Sequence, residues 1–188
     1  MNYKKHPAER NLTDKCSRHF CWLDLIDCGE TMASSDISNI PESDETWMAL
    51  SNLARCVLDP IVDQFGRIDL TYCFSSPRLS SRIRRSIAPR RDQHASHERL
   101  ENGNQVCKLG GAAADFVARE FPSAETASFI VEHLPFDALY FYGSSRPVHA
   151  SWSHSPRKLV VEMKFNTAHQ RHFPVRRTPD RFLELYGR

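Results

Sequence analysis

Glycine is scarce, at 7 of 188 residues, while 26% of the chain is charged and 10% is aromatic. That mixture excludes the collagenous, low-complexity and compositionally disordered classes. No stretch approaches the roughly 18 uninterrupted apolar residues of a membrane-spanning helix. Met1 to Asp14 lacks the apolar core of a secretion signal, so the expectation is a cytoplasmic protein with no membrane partner. Charge of one sign is missing too: 25 Lys and Arg face 23 Asp and Glu, a net of +2, which by itself argues for no nucleic-acid partner. No internal repeat and no Pro-, Gly- or Ser-rich linker divides the chain. Cys16, Cys21, Cys28, Cys56, Cys73 and Cys107 are scattered, without the paired C-x-x-C of common structural zinc sites. Reduced thiols are expected rather than a disulfide framework.

The length suits one domain over 1–188, with a polar tail at 1–14, a core over about 15–165 and a basic C-terminal tail at 166–188. Trp47, Leu50, Leu53, Ala54, Val57, Leu58 and Val62 recur at three- and four-residue steps, the mark of an amphipathic helix. Pro60 should end or kink it. After Gly66, alternation over Ile68 to Phe74 predicts a strand that delivers the turn Ser75-Ser76-Pro77. Asp92 to Cys107 has no sustained hydrophobic period and reads as a long loop, of the kind that tends to be functional. Ala112 to Val117 reads as a strand, and Ser123 to Leu134 as a helix with Ser123 as its N-cap. Phe136 to Tyr142, Pro147 to Trp152 and Leu159 to Phe165 follow as a meander. A helix-rich front and a strand-rich back imply an α+β domain with a small antiparallel sheet and helices packed on one side.

Three places combine metal-capable side chains with a strand or its border: Asp92-Gln93-His94-Ala95-Ser96-His97-Glu98, Gly110-Gly111-Ala112-Ala113-Ala114-Asp115-Phe116 and Pro147-Val148-His149-Ala150-Ser151-Trp152. Neutral imidazoles and one carboxylate, converging from separate elements, make a three-ligand zinc sphere whose fourth position is left to water. Zinc lowers the pKa of that water from about 15.7 toward about 7 and so supplies hydroxide at neutral pH. Asp115 stands between Ala114 and Phe116, where a carboxylate is costly unless a metal or cation meets it.

The order of these residues resembles the zinc D-Ala-D-Ala carboxypeptidases and related peptidoglycan endopeptidases of the hedgehog/DD-peptidase fold. Asp92-Gln93-His94 stands where that family has Ser-x-His, Gly111-Ala112-Ala113-Ala114-Asp115 matches Gly-x-Ala-x-Asp, and Val148-His149-Ala150-Ser151 matches the last ligand strand. The resemblance spans roughly Leu70 to Met163. It implies a DD-peptidase-like fold, Zn2+ held by His94, Asp115 and His149, and hydrolysis of a peptide or small amide by metal-activated water. His97 is an alternative ligand.

The chain departs from the pattern at three points. Lys108 stands seven positions before Asp115, where the family has its first His; Ser75 replaces the Arg of a Tyr-Arg-Ser-Pro turn that grips a substrate carboxylate; and Arg146 stands three positions before His149, where many members carry the catalytic acid. Arg78 or Arg82 could take over carboxylate binding beside Ser75. Glu98, four residues after His94, is the expected replacement base, ahead of Glu132 and Asp137. Tyr142 and Arg146 could stabilise an oxyanion or contact a phosphate. Arg82, Arg84, Arg85, Arg90 and Arg91 cluster just before the site. The alternative function is therefore a repurposed metal-binding module that binds or acts on a phosphate-bearing ligand, a nucleotide or nucleic acid.

Overall fold

The computed structural model describes residues 10–27, 36–82 and 91–187. Over these residues the protein is α+β, a six-stranded mixed sheet with helices packed on one face. The strands are β1 (Ile68–Tyr72), β2 (Ala112–Ala118), β3 (Ala138–Phe141), β4 (Val148–Trp152), β5 (Leu159–Asn166) and β6 (Arg171–Arg177), in spatial order β1-β2-β4-β3-β5-β6. The helices are α1 (Trp22–Ile26), α2 (Asp44–Leu53), α3 (Asp59–Phe65), α4 (Pro77–Ser80), α5 (Ser123–His133) and α6 (Pro179–Tyr186). The sheet is not the expected antiparallel meander. Both edges of β4 are taken, by β2 and β3, so β5 passes to the free edge of β3 and lies parallel to it.

The amphipathic run beginning at Trp47 is a continuous rod despite Pro60. Ser43 caps α2 by accepting from the Thr46 amide, and a π-helical turn over Ala54–Leu58 joins α2 to α3. There Asp59 N donates to Ala54 O, a five-residue step that re-pairs the backbone just ahead of the proline, whose missing donor would otherwise break the ladder. Leu50, Leu53, Val57, Leu58 and Ile61 are fully or almost fully buried. They face the inward side of the sheet, where Ala112, Ala114, Phe116 and Ala118 of β2 alternate with residues that point away. Burial of each large apolar side chain stabilises the fold by about 1.5–3 kcal/mol.

Two further expectations are corrected. Residues 166–187 are no tail: β6 pairs with β5 from Val160↔Arg177 to Asn166↔Arg171, and α6 buries Phe182 against Phe141, ring centroids 5.5 Å apart. The segment is polar because β6 is an edge strand and α6 rests on the core by one stripe, so few of its positions needed to be apolar. Ser123 is the first helical residue, not the N-cap. Pro122 takes the cap position, and Ser123 Oγ donates to Arg146 O. The described cysteines, Cys16, Cys21, Cys56, Cys73 and Cys107, are free. No helix among the described residues is long and apolar enough to cross a membrane.

Candidate metal centre

Cross-strand pairing sets out the site in a row. Tyr72 of β1 stands opposite Asp115 of β2, Asp115 opposite His149 of β4, and His149 opposite Tyr140 of β3. Paired residues project from the same side of a sheet, here the side away from the helices. Asp115 therefore needs no place in the hydrophobic core, although its sequence neighbours Ala114 and Phe116 are fully buried.

His94 comes from the described stretch 91–111 ahead of β2, through a short 3-10 turn at Gln93–Ala95. Its backbone N donates to Asp92 Oδ1 at 3.1 Å, and its carbonyl accepts from Ser75 N at 3.0 Å. Its ring Nδ1 donates to Cys73 O at 2.6 Å and lies against Tyr72, centroids 4.3 Å apart. A proton held on Nδ1 leaves the Nε2 lone pair free to face the site, the outer-shell arrangement that orients imidazole ligands. The turn is pinned to the entry of β2 by Gln93 Nε2 donating to Gly110 O, Ser96 Oγ donating to Gly111 O and Gly111 N donating to His97 Nε2.

The three side chains converge. His149 Nδ1 lies 2.7 Å from Asp115 Oδ1 and 3.2 Å from His94 Nε2, and His94 Nε2 lies 3.5 Å from Asp115 Oδ1. Among the described residues, His94, Asp115 and His149 are the group of His, Cys, Asp or Glu side chains able to hold a metal ion. The histidines are buried, whereas the Asp115 side chain is 31% exposed, so the group opens on the Asp115 side. Burial alone would raise the Asp115 carboxyl, but His94 and His149 outweigh it and hold it well below the usual carboxylate range. Burial opposes charge on His94, yet the Asp115 carboxylate prevails and lifts that imidazole above its ordinary value.

Asp115 lines a cavity of about 350 Å³ with Tyr142, Arg146, Pro147 and His172. Two of the residues expected to act in chemistry, Tyr142 and Arg146, thus stand beside the group. Burial, with Asp115 and Tyr140 nearby, pushes the Tyr142 hydroxyl up to about 12, so it stays a donor at neutral pH. His172 carries no signal in the sequence, because it lies in the polar stretch 166–188 that reads as a tail. Its ring packs edge-on to Tyr142, centroids 5.7 Å apart.

The other expected site residues are placed elsewhere. Glu98 is buried, and its carboxylate accepts from the amides of Glu42 and Ser43 at 3.2 Å. It anchors the chain ahead of α2 and lies outside the metal-capable group. Burial raises its carboxyl despite the opposing bonds from Thr46, Glu42 and Ser43. His97 is no ligand, because its Nε2 accepts from Gly111 N at 3.0 Å. Ser75 is fully buried, with Oγ 2.8 Å from Ser80 Oγ, so it positions His94 through the backbone instead of touching a ligand. Arg78 lines a separate cavity with Ser76, Arg99 and Glu101. Arg82 is exposed at the end of α4, and Arg84, Arg85 and Arg90 lie outside the described residues. Glu132 is exposed on α5.

Asp137 is structural. It is buried, accepts from Arg157 Nη2 at 2.6 Å, from Arg157 N at 2.8 Å and from Gln93 Nε2 at 2.9 Å, and so ties β3 to the turn that carries His94. Burial alone would raise its carboxyl, but Arg157 and Gln93 outweigh it and hold it below the usual range. A depressed carboxyl contributes stability that is fully present above its unfolded pKa of about 3.9 and is lost as pH falls through the lower folded value. Asp137→Asn is expected to cost about 2 kcal/mol at pH 7, with the gap from the parent closing below about pH 4. Urea unfolding at several pH values measures it, and a gap that widened in acid would contradict this assignment.

No protein-family model, curated protein or solved structure matches the chain. The arrangement of its own side chains therefore carries the functional argument.

Proposed function

We propose that the protein is a zinc-dependent hydrolase of DD-peptidase-like fold, acting in the cytoplasm on a peptide or small amide. The supporting observation is the triangle formed by His94 Nε2, His149 Nδ1 and Asp115 Oδ1, with sides of 2.7, 3.2 and 3.5 Å. Ligands about 2.0–2.1 Å from a tetrahedral zinc stand roughly 3.4 Å apart, and a sphere of two imidazoles and one carboxylate is a known catalytic donor set. Carboxylate and neutral imidazole donors also fit other divalent metals. The fixed Nδ1 proton of His94 and the opening at Asp115 fit a bound metal with a solvent position, and zinc is the ion this reading takes.

When bound, zinc supplies a water acidic enough to act as hydroxide near neutral pH. This chain's own residues do the rest. Arg146, exposed beside the cavity and permanently charged, and the Tyr142 hydroxyl would offer a cation and a donor to the carbonyl oxygen that gains charge there. His172, which lines the cavity with Asp115 and packs edge-on to Tyr142, would accept a proton at a ring nitrogen and give one to the departing amine, so that it and not Glu98 would be the base. Glu98, occupied with two backbone amides, has no part in it.

Protein stripped by a chelator and reloaded with zinc is expected to cleave D-Ala-D-Ala or another short peptide, read as released amine. His172→Gln should lower kcat by roughly 10²–10⁴-fold with zinc content unchanged, while Glu98→Gln retains activity. A zinc-loaded, folded protein that releases no amine from any peptide or amide in a broad panel would overturn the proposal.

A further inference from the structure

The row that holds the metal-capable group continues past it. Tyr140 stands opposite Val161 of β5, and Val161 opposite Arg176 of β6. On this open face Tyr140 and Tyr142 adjoin a groove of about 550 Å³, floored by Val161, Met163 and Pro174 and bordered by Arg91, Arg157 and Arg176. Tyr142 lines this groove and also the cavity at Asp115, so the two spaces share its side chain as a wall. Among the described residues, no acidic side chain lines the groove. Arg157 is paired with Asp137, but Arg91 and Arg176 are exposed and have no ion-pair partner among the described residues.

The spacing of these cations limits what they can grip. Arg176 lies three strand steps from His149, about 14 Å at roughly 4.8 Å per step. An extended chain covers that distance in about four residues. Between His149 and Arg176 the row holds only Tyr140 and Val161. A nucleic-acid strand would bring a phosphate at every nucleotide over that uncharged stretch, whereas a peptide with an apolar middle and an acidic end places charge only where an arginine waits.

We propose that the groove binds acidic peptides, with one carboxylate side chain about four residues from the metal-capable group held by Arg176 and another met by Arg91. This assignment rests on the hydrolase reading for the direction of the chain, but it is tested by binding. Two fluorescein-labelled, C-terminally amidated hexapeptides, Ala-Ala-Ala-Ala-Glu-Glu and its Gln-Gln counterpart, are titrated with the zinc-loaded full chain by fluorescence anisotropy. The Glu-Glu peptide is expected to bind at least about tenfold tighter, an advantage that shrinks in about 0.5 M salt. Arg176→Glu and Arg91→Glu, at exposed positions, should each remove that advantage with circular dichroism and zinc content unchanged, and Arg176→Lys should restore part of it. Equal affinity for the two peptides, an advantage untouched by both charge reversals, or tighter binding of a twelve-residue oligothymidylate would overturn the proposal. Peptide preference in protein that takes up no zinc would leave the groove standing while the hydrolase reading fell.

Discussion

Asp115→Ala is expected to reduce the zinc content of the purified protein from about one equivalent to near zero, with affinity falling by more than roughly 100-fold. The reason is electrostatic as well as geometric. Asp115 supplies the one anionic donor of the group and lies 2.7 Å from His149 Nδ1 and 3.5 Å from His94 Nε2. Without it, a divalent ion would face two neutral nitrogens near a cationic arginine in the same cavity. Asp115→Asn, which keeps the shape and removes the charge, should lose nearly as much. Asp69→Asn provides the control, since Asp69 is a half-buried residue of β1 that pairs with Arg119 away from the group. Elemental analysis after dialysis against a defined free-zinc concentration gives the comparison. Full occupancy in both Asp115 variants would remove the metal from this site.

The second large effect is expected at Gly111. Its φ of +76° is one that side chains other than glycine rarely adopt, and an added Cβ would come 2.0 Å from the Trp152 carbonyl oxygen, a backbone atom that cannot swing aside. Gly111→Ala should therefore cost at least about 3 kcal/mol, strain and overpacking together. That is a large part of the stability of an ordinary domain. Gly103 has a similar φ of +80° with nothing within 4 Å, so Gly103→Ala should cost only about 1 kcal/mol. Urea unfolding of the two variants separates strain from collision. Because Gly111 also holds Ser96 and His97 through its carbonyl and amide, the Gly111 variant should bind zinc more weakly even where it folds.

The sequence made the long amphipathic helix and most strands legible, because period and alternation survive wherever one face is buried. The metal-capable trio was legible through short motifs whose residues lie on or beside those strands. What escaped was set by partners distant in the chain. Glu98 looked like a base because His94 is four residues away, yet its carboxylate meets Glu42 and Ser43, which approach only once α2 has packed. His172 and Arg176 sit on an edge strand whose exposed face carries no hydrophobic signal. The parallel β3–β5 pair depends on which sheet edges are already occupied, a matter of three-dimensional order and not of local pattern.

Asp115 and His149 are direct cross-strand partners, and this gives the metal-capable group a consequence for how the sheet assembles. Sliding β2 by a single residue against β4 would turn Asp115 toward the helices and bring the hydrophobic side chain of Phe116 out beside His149. Ion capture would then be open only to chains that had aligned these strands correctly, making metal uptake during refolding a checkpoint on strand alignment.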